Sequence, residues 1–364
     1  MIYKNLLIST IAAVCVTLSG CGGGGTFMFR ADPENTGNFS ASGPKRLESL
    51  SWKFNTPDKV YSSPVVDKDN VYVGSNDGHL YAVEQDSGIL QWKFRTGGNI
   101  ESSAAVAGNL ILVGSWDNHF YAIDKETQRE VWKFRAKGPV SSSPVVYDGI
   151  VYFGSEDGHV YALNIENGYE QWSFNAGAAV YSSPAYFEEQ LYFGTLDGHL
   201  YSVNTKSGQE YWRFKTRHKI HSSPAVDGEK VYFGCDDKYV YAVNMRTGQQ
   251  VWKKKTAGQV LSSPALYEDK VLVGSKDGYV YAYDRNTGAR HWEFRTDGPV
   301  FSSPAVASGT VYIGSTDMYL YALDAERGTV RWKYRTENKL YSAPAVSGSQ
   351  VFFTNVSGAL FAVR

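Results

Sequence analysis

Four histidines, His79, His119, His159 and His199, recur every 40 residues, and so do the carboxylates Asp77, Asp117, Asp157, Asp197, Asp237, Asp277 and Asp317. Imidazoles and carboxylates in such number suggest two chemistries, a metal centre or an acid–base pair. Neither is expected. Equivalent positions on adjacent copies of a repeat lie about 10 Å apart when sheets stack face to face, whereas zinc needs each nitrogen at about 2 Å. The later copies carry Tyr239, Tyr279 and Tyr319 at the histidine position, so a packing position that accepts a ring is the reading. Acid–base catalysis needs groups in different environments. Copies of one unit share an environment, and an aspartate in a turn bonds its own backbone. Cys235 stands where other copies have Ser75 or Thr195, which marks a small core residue rather than a nucleophile. No catalytic, cofactor-binding or metal-binding residue is expected.

What positions these residues is the repeat itself. Trp52, Trp92, Trp132, Trp172, Trp212, Trp252, Trp292 and Trp332 stand 40 residues apart without a slip. A fixed period of this size marks a repeat architecture. Each unit reads as four short strands: Ser-Ser-Pro-Ala/Val-Val, as at 302–306; Val-Tyr-Phe-Gly-Ser, as at 151–155; His/Tyr-x-Tyr-Ala, as at 159–162; and Trp-Lys-Phe-Arg-Thr, as at 92–96. Alternating aromatic and β-branched residues between Gly and Asp are strand signals. Pairs such as Asp148-Gly149, Asp157-Gly158 and Asp227-Gly228 suit tight hairpins. Four-stranded antiparallel units in series predict an all-β propeller. The first-strand pattern occurs eight times, and so does the tryptophan strand, but one tryptophan copy, at 52–56, precedes the first unit and the last unit lacks one. The strand at Trp52 is therefore expected to complete the last of eight blades and close the ring. The innermost strand tolerates proline because one of its sides faces the channel. The outermost keeps charges such as Lys93 and Arg95 outward, which discourages strand addition.

The formal net charge of -1, with no long basic run, argues against a nucleic-acid partner. At the N-terminus, Lys4, an apolar run over 6–18 and then Leu18-Ser19-Gly20-Cys21 read as a secretory signal. The domain boundaries expected are a signal peptide over 1–20, a Gly-rich tether and irregular lead-in over 21–44, and the propeller over 45–364. Cys15 leaves with the signal, and Cys235 then has no partner for a disulfide.

Two resemblances extend this reading. The Leu-Ser-Gly-Cys run resembles a bacterial lipobox, which implies cleavage before Cys21 and lipid on its sulfur. Gly22 rather than Asp after that cysteine implies the outer membrane, facing the periplasm, by similarity to Gram-negative lipoproteins. The run Ala282-Tyr283-Asp284-Arg285-Asn286-Thr287-Gly288-Ala289-Arg290-His291-Trp292 resembles the tryptophan-docking repeat of the pyrroloquinoline-quinone (PQQ) propeller family, with looser copies at 242–252 and 322–332. The resemblance covers about residues 50–364, and Phe29-Arg30-Ala31-Asp32-Pro33 with Thr36-Gly37 resembles a lead-in of such proteins. It implies that the tryptophan docks on the neighbouring sheet and that Asp and Thr-Gly shape a turn. Dehydrogenases of the family carry inserted loops, a Cys-Cys pair and a calcium site; this chain has no Cys-Cys pair and no room for inserts at strict spacing. The functional resemblance is to the propeller lipoproteins of the outer-membrane β-barrel assembly machine. It implies a monomeric, non-catalytic scaffold for envelope proteins. A PQQ-dependent oxidoreductase is the alternative, and peptide or glycan binding at the channel mouth a third.

Positions where the repeat breaks its own rule are the candidates for recognition. The residue before Ser-Ser varies: Tyr61, Glu101, Ser141, Tyr181, His221, Leu261, Phe301, Tyr341. These are expected to ring one mouth of the channel. The second unit diverges most, with Glu101, Ala104, Trp116, Asn118 and Gln128. Tyr61, Glu101, Trp116, Tyr181, His221, Phe301 and Tyr341 form the candidate partner surface, since exposed aromatics anchor interfaces. Arg217, His218 and Lys219 with 253–255 read as a solvated basic edge.

Overall fold

A computed structural model describes residues 26–364. The lipidation and tether expectations at Cys21 and 22–25 lie outside the described residues. Eight sheets each contain one four-stranded antiparallel blade. Numbered along the chain, blade 1 spans 65–95, blade 2 105–135, blade 3 145–175, blade 4 185–215, blade 5 225–255, blade 6 265–295 and blade 7 305–335. Blade 8 takes three strands from 345–363 and its outermost strand from Leu50–Asn55. Trp52 pairs with Ala362 and Phe54 with Leu360, so the ring closes as the strand count required.

The innermost strands are shorter than the sequence suggested. Strand pairing begins only after the proline, as at Ala305–Ala307. The Ser-Ser-Pro segments instead make a belt around the axis. The backbone N–H of Ser63 donates to Ser103 Oγ at 2.9 Å, and the same bond recurs from Ser103 to Ser143, Ser143 to Ser183, Ser183 to Ser223, Ser223 to Ser263 and Ser263 to Ser303. The N–H of Ala343 closes the circle onto Ser63 Oγ at 2.9 Å. Only the step from Ser303 to blade 8 lacks the bond, because Ala343 has no hydroxyl.

A second ring runs outside. The indole N–H of Trp172 donates to Thr205 O on the next blade at 2.7 Å. Trp52, Trp132, Trp212, Trp252 and Trp292 do the same to Gln85, Ile165, Met245, Arg285 and Ala325. Each indole lies over a glycine of the neighbouring turn: a Cβ at Gly208 would sit 2.7 Å from the Trp172 ring. Asp284 Oδ1 accepts the N–H of Thr287 and its hydroxyl, both at 2.7 Å, which shapes the turn that carries the glycine. Between blades, apolar faces interdigitate through fully buried Tyr72, Tyr192, Tyr232, Phe153 and Phe193. A repeat unit buries one face only against its neighbours, so the ring is the folding unit.

The lead-in belongs to this ring. Thr26–Phe27 pairs antiparallel with the inner strand of blade 2, and Asn38–Phe39 pairs parallel with that of blade 7. Between them the chain crosses the channel. The carbonyls of Pro33, Glu34, Thr36 and Gly37 accept the N–H groups of Tyr186, Val226, Leu266 and Val306, at 2.7 to 3.0 Å. Inner-strand donors that would otherwise face an empty axis are thereby satisfied. Arg30 is 4% exposed, and its guanidinium donates to the carbonyls of Pro264, Pro304 and Asn35. Burial pulls its pKa down to about 9 against the opposing pull of Asp32, which leaves it charged at neutral pH. Pro44 then takes the place of the docking turn that the last blade lacks: its carbonyl accepts the Trp332 indole at 2.8 Å.

Candidate functional site

Each inner strand runs from one end of the channel, the mouth, to the other, here the far face. The mouth carries the loops that link the outermost strand of one blade to the innermost strand of the next, and the hairpin tips at 76, 116, 156, 196, 236, 276, 316 and 356. The two are locked together: Trp116 N–H donates to Asn99 O at 2.9 Å and Glu156 N–H to Pro139 O at 2.9 Å. Aspartates in the tips reinforce this. Asp117 accepts the Tyr121 hydroxyl at 2.6 Å and the N–H groups of His119 and, across the blade joint, Gly97. Burial works against the Asp117 carboxylate, but these bonds outweigh it and hold its pKa below the ordinary value. The four histidines do not converge. Each imidazole sits beside its own aspartate, at 3.3 Å for His79–Asp77 and 2.8 Å for His199–Asp197. Burial pushes the Cys235 thiol up to about 12, so it stays protonated in the core.

The varied residues before Ser-Ser line the inner lip of the mouth. Tyr341 touches both neighbours: its ring centroid is 6.1 Å from Tyr61 and 4.8 Å from Phe301. Lys276 Nζ stands 5.3 Å over the Phe301 ring. Across the axis lies a polar arc. The Trp116 indole donates to Ser141 Oγ at 2.9 Å, and Ser141 donates to Glu156 at 2.7 Å. Tyr181 packs 6.2 Å from His221, whose Nδ1 is 3.2 Å from Asp236. Burial and the nearby Glu156 carboxylate raise the Glu101 pKa. Burial, a hydrogen bond to Glu156 and the charge of Glu101 raise that of Tyr181. Tyr61 and Trp116 are 36% and 39% exposed. All seven candidate residues thus share one lip, with an apolar half over blades 6 to 8 and 1 and an acidic half over blades 2 to 5. Sequence reasoning missed Glu156, Asp236 and Lys276; the signal was the equally varied residue at the hairpin tip, read there only for Trp116.

One group among the described residues has metal-ligand chemistry, Asp269, Asp284 and His291 on blade 6. Asp269 is committed to Lys270 at 2.6 Å and Asp284 to its turn, so the group reads as an ion-paired surface.

A family model described as outer membrane protein assembly factor BamB matches residues 46–104 and 96–213. The chain is a propeller of PQQ-type repeats. A second model, described as the β-propeller of the β-alanine-activating enzyme, matches 187–364. No curated protein sequence matches the chain. Among solved structures, the PQQ-type propeller is similar to BamB from Moraxella catarrhalis, with TM-score 0.74 and 16% identity over 87% of this chain and 99% of that one. It is also similar to a europium-containing methanol dehydrogenase, with TM-score 0.80 and 14% identity over 93% and 98%. A quinohemoprotein alcohol dehydrogenase from Comamonas testosteroni gives TM-score 0.82 and 12% identity over 92% and 80%. At such identities these likenesses establish the shared propeller.

Proposed function

We propose that this chain is a lipid-anchored, non-catalytic scaffold that holds its mouth toward other envelope proteins and assists assembly of outer-membrane β-barrel proteins. The observation that carries the reading is the lip. Tyr61, Trp116, Phe301 and Tyr341 are gathered at one mouth on a rigid ring, while the equivalent docking positions elsewhere stay uniform. Rigid aromatic anchors on a preorganised frame are what a protein interface uses. The match to the BamB model and the similarity to a BamB structure support the assembly role. Lipid on Cys21 and an outer-membrane, periplasm-facing location belong to the same reading.

The test is capture from the envelope that produces the protein. The wild-type chain is expected to retain β-barrel assembly components, and the double substitution Trp116→Ala with Tyr341→Ala to lose them while the ring stays folded. Equal capture by both would remove the lip as the site.

A second reading, a PQQ-dependent oxidoreductase, is favoured by the TM-scores of 0.80 and 0.82 to the two dehydrogenases. PQQ is a tricarboxylate quinone. The lip presents Glu101, Glu156 and Asp236 beside Lys276, with Lys59, Lys219 and Lys339 on the adjoining loops, and Glu101 is already disfavoured as an anion. The acidic half of the lip weighs against a tricarboxylate and supports the scaffold reading. Adding PQQ and calcium and measuring dye reduction discriminates the readings; turnover would overturn the scaffold proposal.

A further inference from the structure

The end of the channel opposite the lip has a chemistry of its own. Among the described residues eleven large apolar side chains are exposed, and of these Tyr61 and Trp116 lie at the mouth. The other nine lie on the far-face turns, on the first residues of the outer strands, which start at that face, or, for Tyr147, at the far-face end of an inner strand. Six of the nine, Ile89, Leu90, Val131, Tyr147, Tyr169 and Tyr211, belong to blades 1 to 4, and Tyr169 is 72% exposed. Isolated exposed apolar residues need no explanation. The 40-residue period would spread equivalent positions evenly around the ring, whereas blades 1 to 4 hold more of these side chains than blades 5 to 8, interspersed with exposed carboxylates such as Glu126, Glu166, Glu188 and Glu189.

The chain enters the ring on this same sector. Thr26 pairs with Ala107 and Phe27 with Val106 on the inner strand of blade 2. Ala107 is the last residue of that strand before the far-face turn, so Thr26 emerges at the far face and Phe27 lies deeper in the channel. Cys21 stands five residues before Thr26. Five residues reach at most about 18 Å when fully extended. A lipid on Cys21 therefore cannot let the ring turn its mouth to the bilayer without tearing Thr26–Phe27 from blade 2 and pulling the lead-in out of the channel.

We infer that the far face, on the side of blade 2 where the chain enters, rests toward the lipid bilayer, and that the lip points away from it into the periplasm. The inference rests on the lipid anchor of the proposed function. Tyrosines with an apolar body and a polar tip suit the headgroup boundary, where Tyr147, Tyr169 and Tyr211 would sit. The lead-in acts as the strap that fixes this orientation: it is hydrogen-bonded to the inner strands of blades 4 to 7 through Pro33, Glu34, Thr36 and Gly37.

The test uses the lipidated full chain in vesicles of phosphatidylethanolamine and phosphatidylglycerol. Tyr169→Cys and Trp116→Cys each take an environment-sensitive dye; Cys235 is buried and protonated and does not compete. Both sites are exposed, so neither substitution should unfold the ring. A lipid-borne quencher is expected to quench the dye at 169 at least several-fold more than the dye at 116. Equal quenching, or stronger quenching at 116, overturns the orientation while leaving the anchor intact. Failure of the wild-type chain to float with vesicles, with no lipid on Cys21, overturns the anchor and this inference with it.

Discussion

Near the far face, indoles from seven blades donate to the same backbone carbonyl of the next turn, and every glycine beneath an indole adopts a left-handed backbone. At the mouth, the residue before Ser-Ser is tyrosine, glutamate, serine, histidine, leucine or phenylalanine depending on the blade. Both rings are built on one period and one backbone. The first is uniform because a docking error would be repeated at a joint that must close a circle. The second varies because its contacts between blades, such as Tyr341 with Tyr61 and Phe301 or Trp116 with Ser141, differ from joint to joint and none recurs around the circle. Uniform positions are thus architecture, and varied positions are where recognition can be written. Trp172→Ala should break the first ring most sharply: emptying a buried tryptophan site costs about 3 to 5 kcal/mol. Trp116→Ala should leave stability within about 0.5 kcal/mol, as for an exposed residue. Paired denaturant titrations check the contrast, and similar losses from both would erase the distinction between the rings.

The docking ring has one flaw, and it lies in blade 2. Gln128 stands where other blades have glycine and still adopts φ 61°. The Trp92 indole above it makes no bond to the Lys125 carbonyl corresponding to those of its seven counterparts. A side chain in the left-handed region costs about 1 to 2 kcal/mol, and Gly returns part of that as unfolded-state entropy, about 0.5 to 1 kcal/mol. Gln128→Gly should therefore stabilise the ring by up to about 1 kcal/mol. The opposite change, Gly208→Ala, imposes the same backbone cost at φ 68° and places a Cβ 2.7 Å from Trp172. It should destabilise by about 2 kcal/mol or more. Melting temperatures moving in the same direction for both would refute the steric account of the flaw.

The contrast also shows what the sequence made legible. Period, blade count and the closing strand at Trp52 were readable because the unit repeats eight times and pattern averages over local ambiguity. The ring of varied lip residues was readable for the complementary reason, as departures from that average. The lead-in was not: 26–49 contains no repeat unit, and its turn signals say nothing of where the chain goes. Its role follows from unpaired donors on the inner strands, which exist only once the ring is closed. Pro44 stood one residue from the 40-residue register of Gln85, yet without coordinates nothing required a carbonyl there. The serine belt was hidden inside a pattern read as strand, since a hydroxyl bridging two blades leaves no trace in hydrophobic periodicity.

That belt offers a finer test. It is complete except at Ala343, and Ser303 lacks the partner its equivalents have. Ala343→Ser should supply the missing acceptor and strengthen the joint between blades 7 and 8 by about 1 kcal/mol, the net worth of one hydrogen bond. Amide exchange at Ser303 should slow. Unchanged exchange there, with the protein folded, would show that the joint is already satisfied in another way.

The smallest effect is expected at the lip and separates recognition from stability by pH. Burial first, and Glu156 second, hold the Glu101 carboxyl above its ordinary value of 4.5. The folded ring thus keeps this proton at a pH where the unfolded chain has already released it. The resulting stabilisation is fully present below the unfolded pKa and fades as pH rises through the raised, folded pKa. Glu101→Gln removes that dependence. Relative to the wild type, the variant should gain slightly at neutral pH and gain nothing at acid pH, in melting temperatures followed from below the ordinary carboxylate value to neutrality. A difference that stayed constant with pH would mean that Glu101 is as freely solvated as the outer-strand charges. The acidic half of the lip would then be an ordinary wet surface, with no stored cost for a cationic group on a partner to relieve.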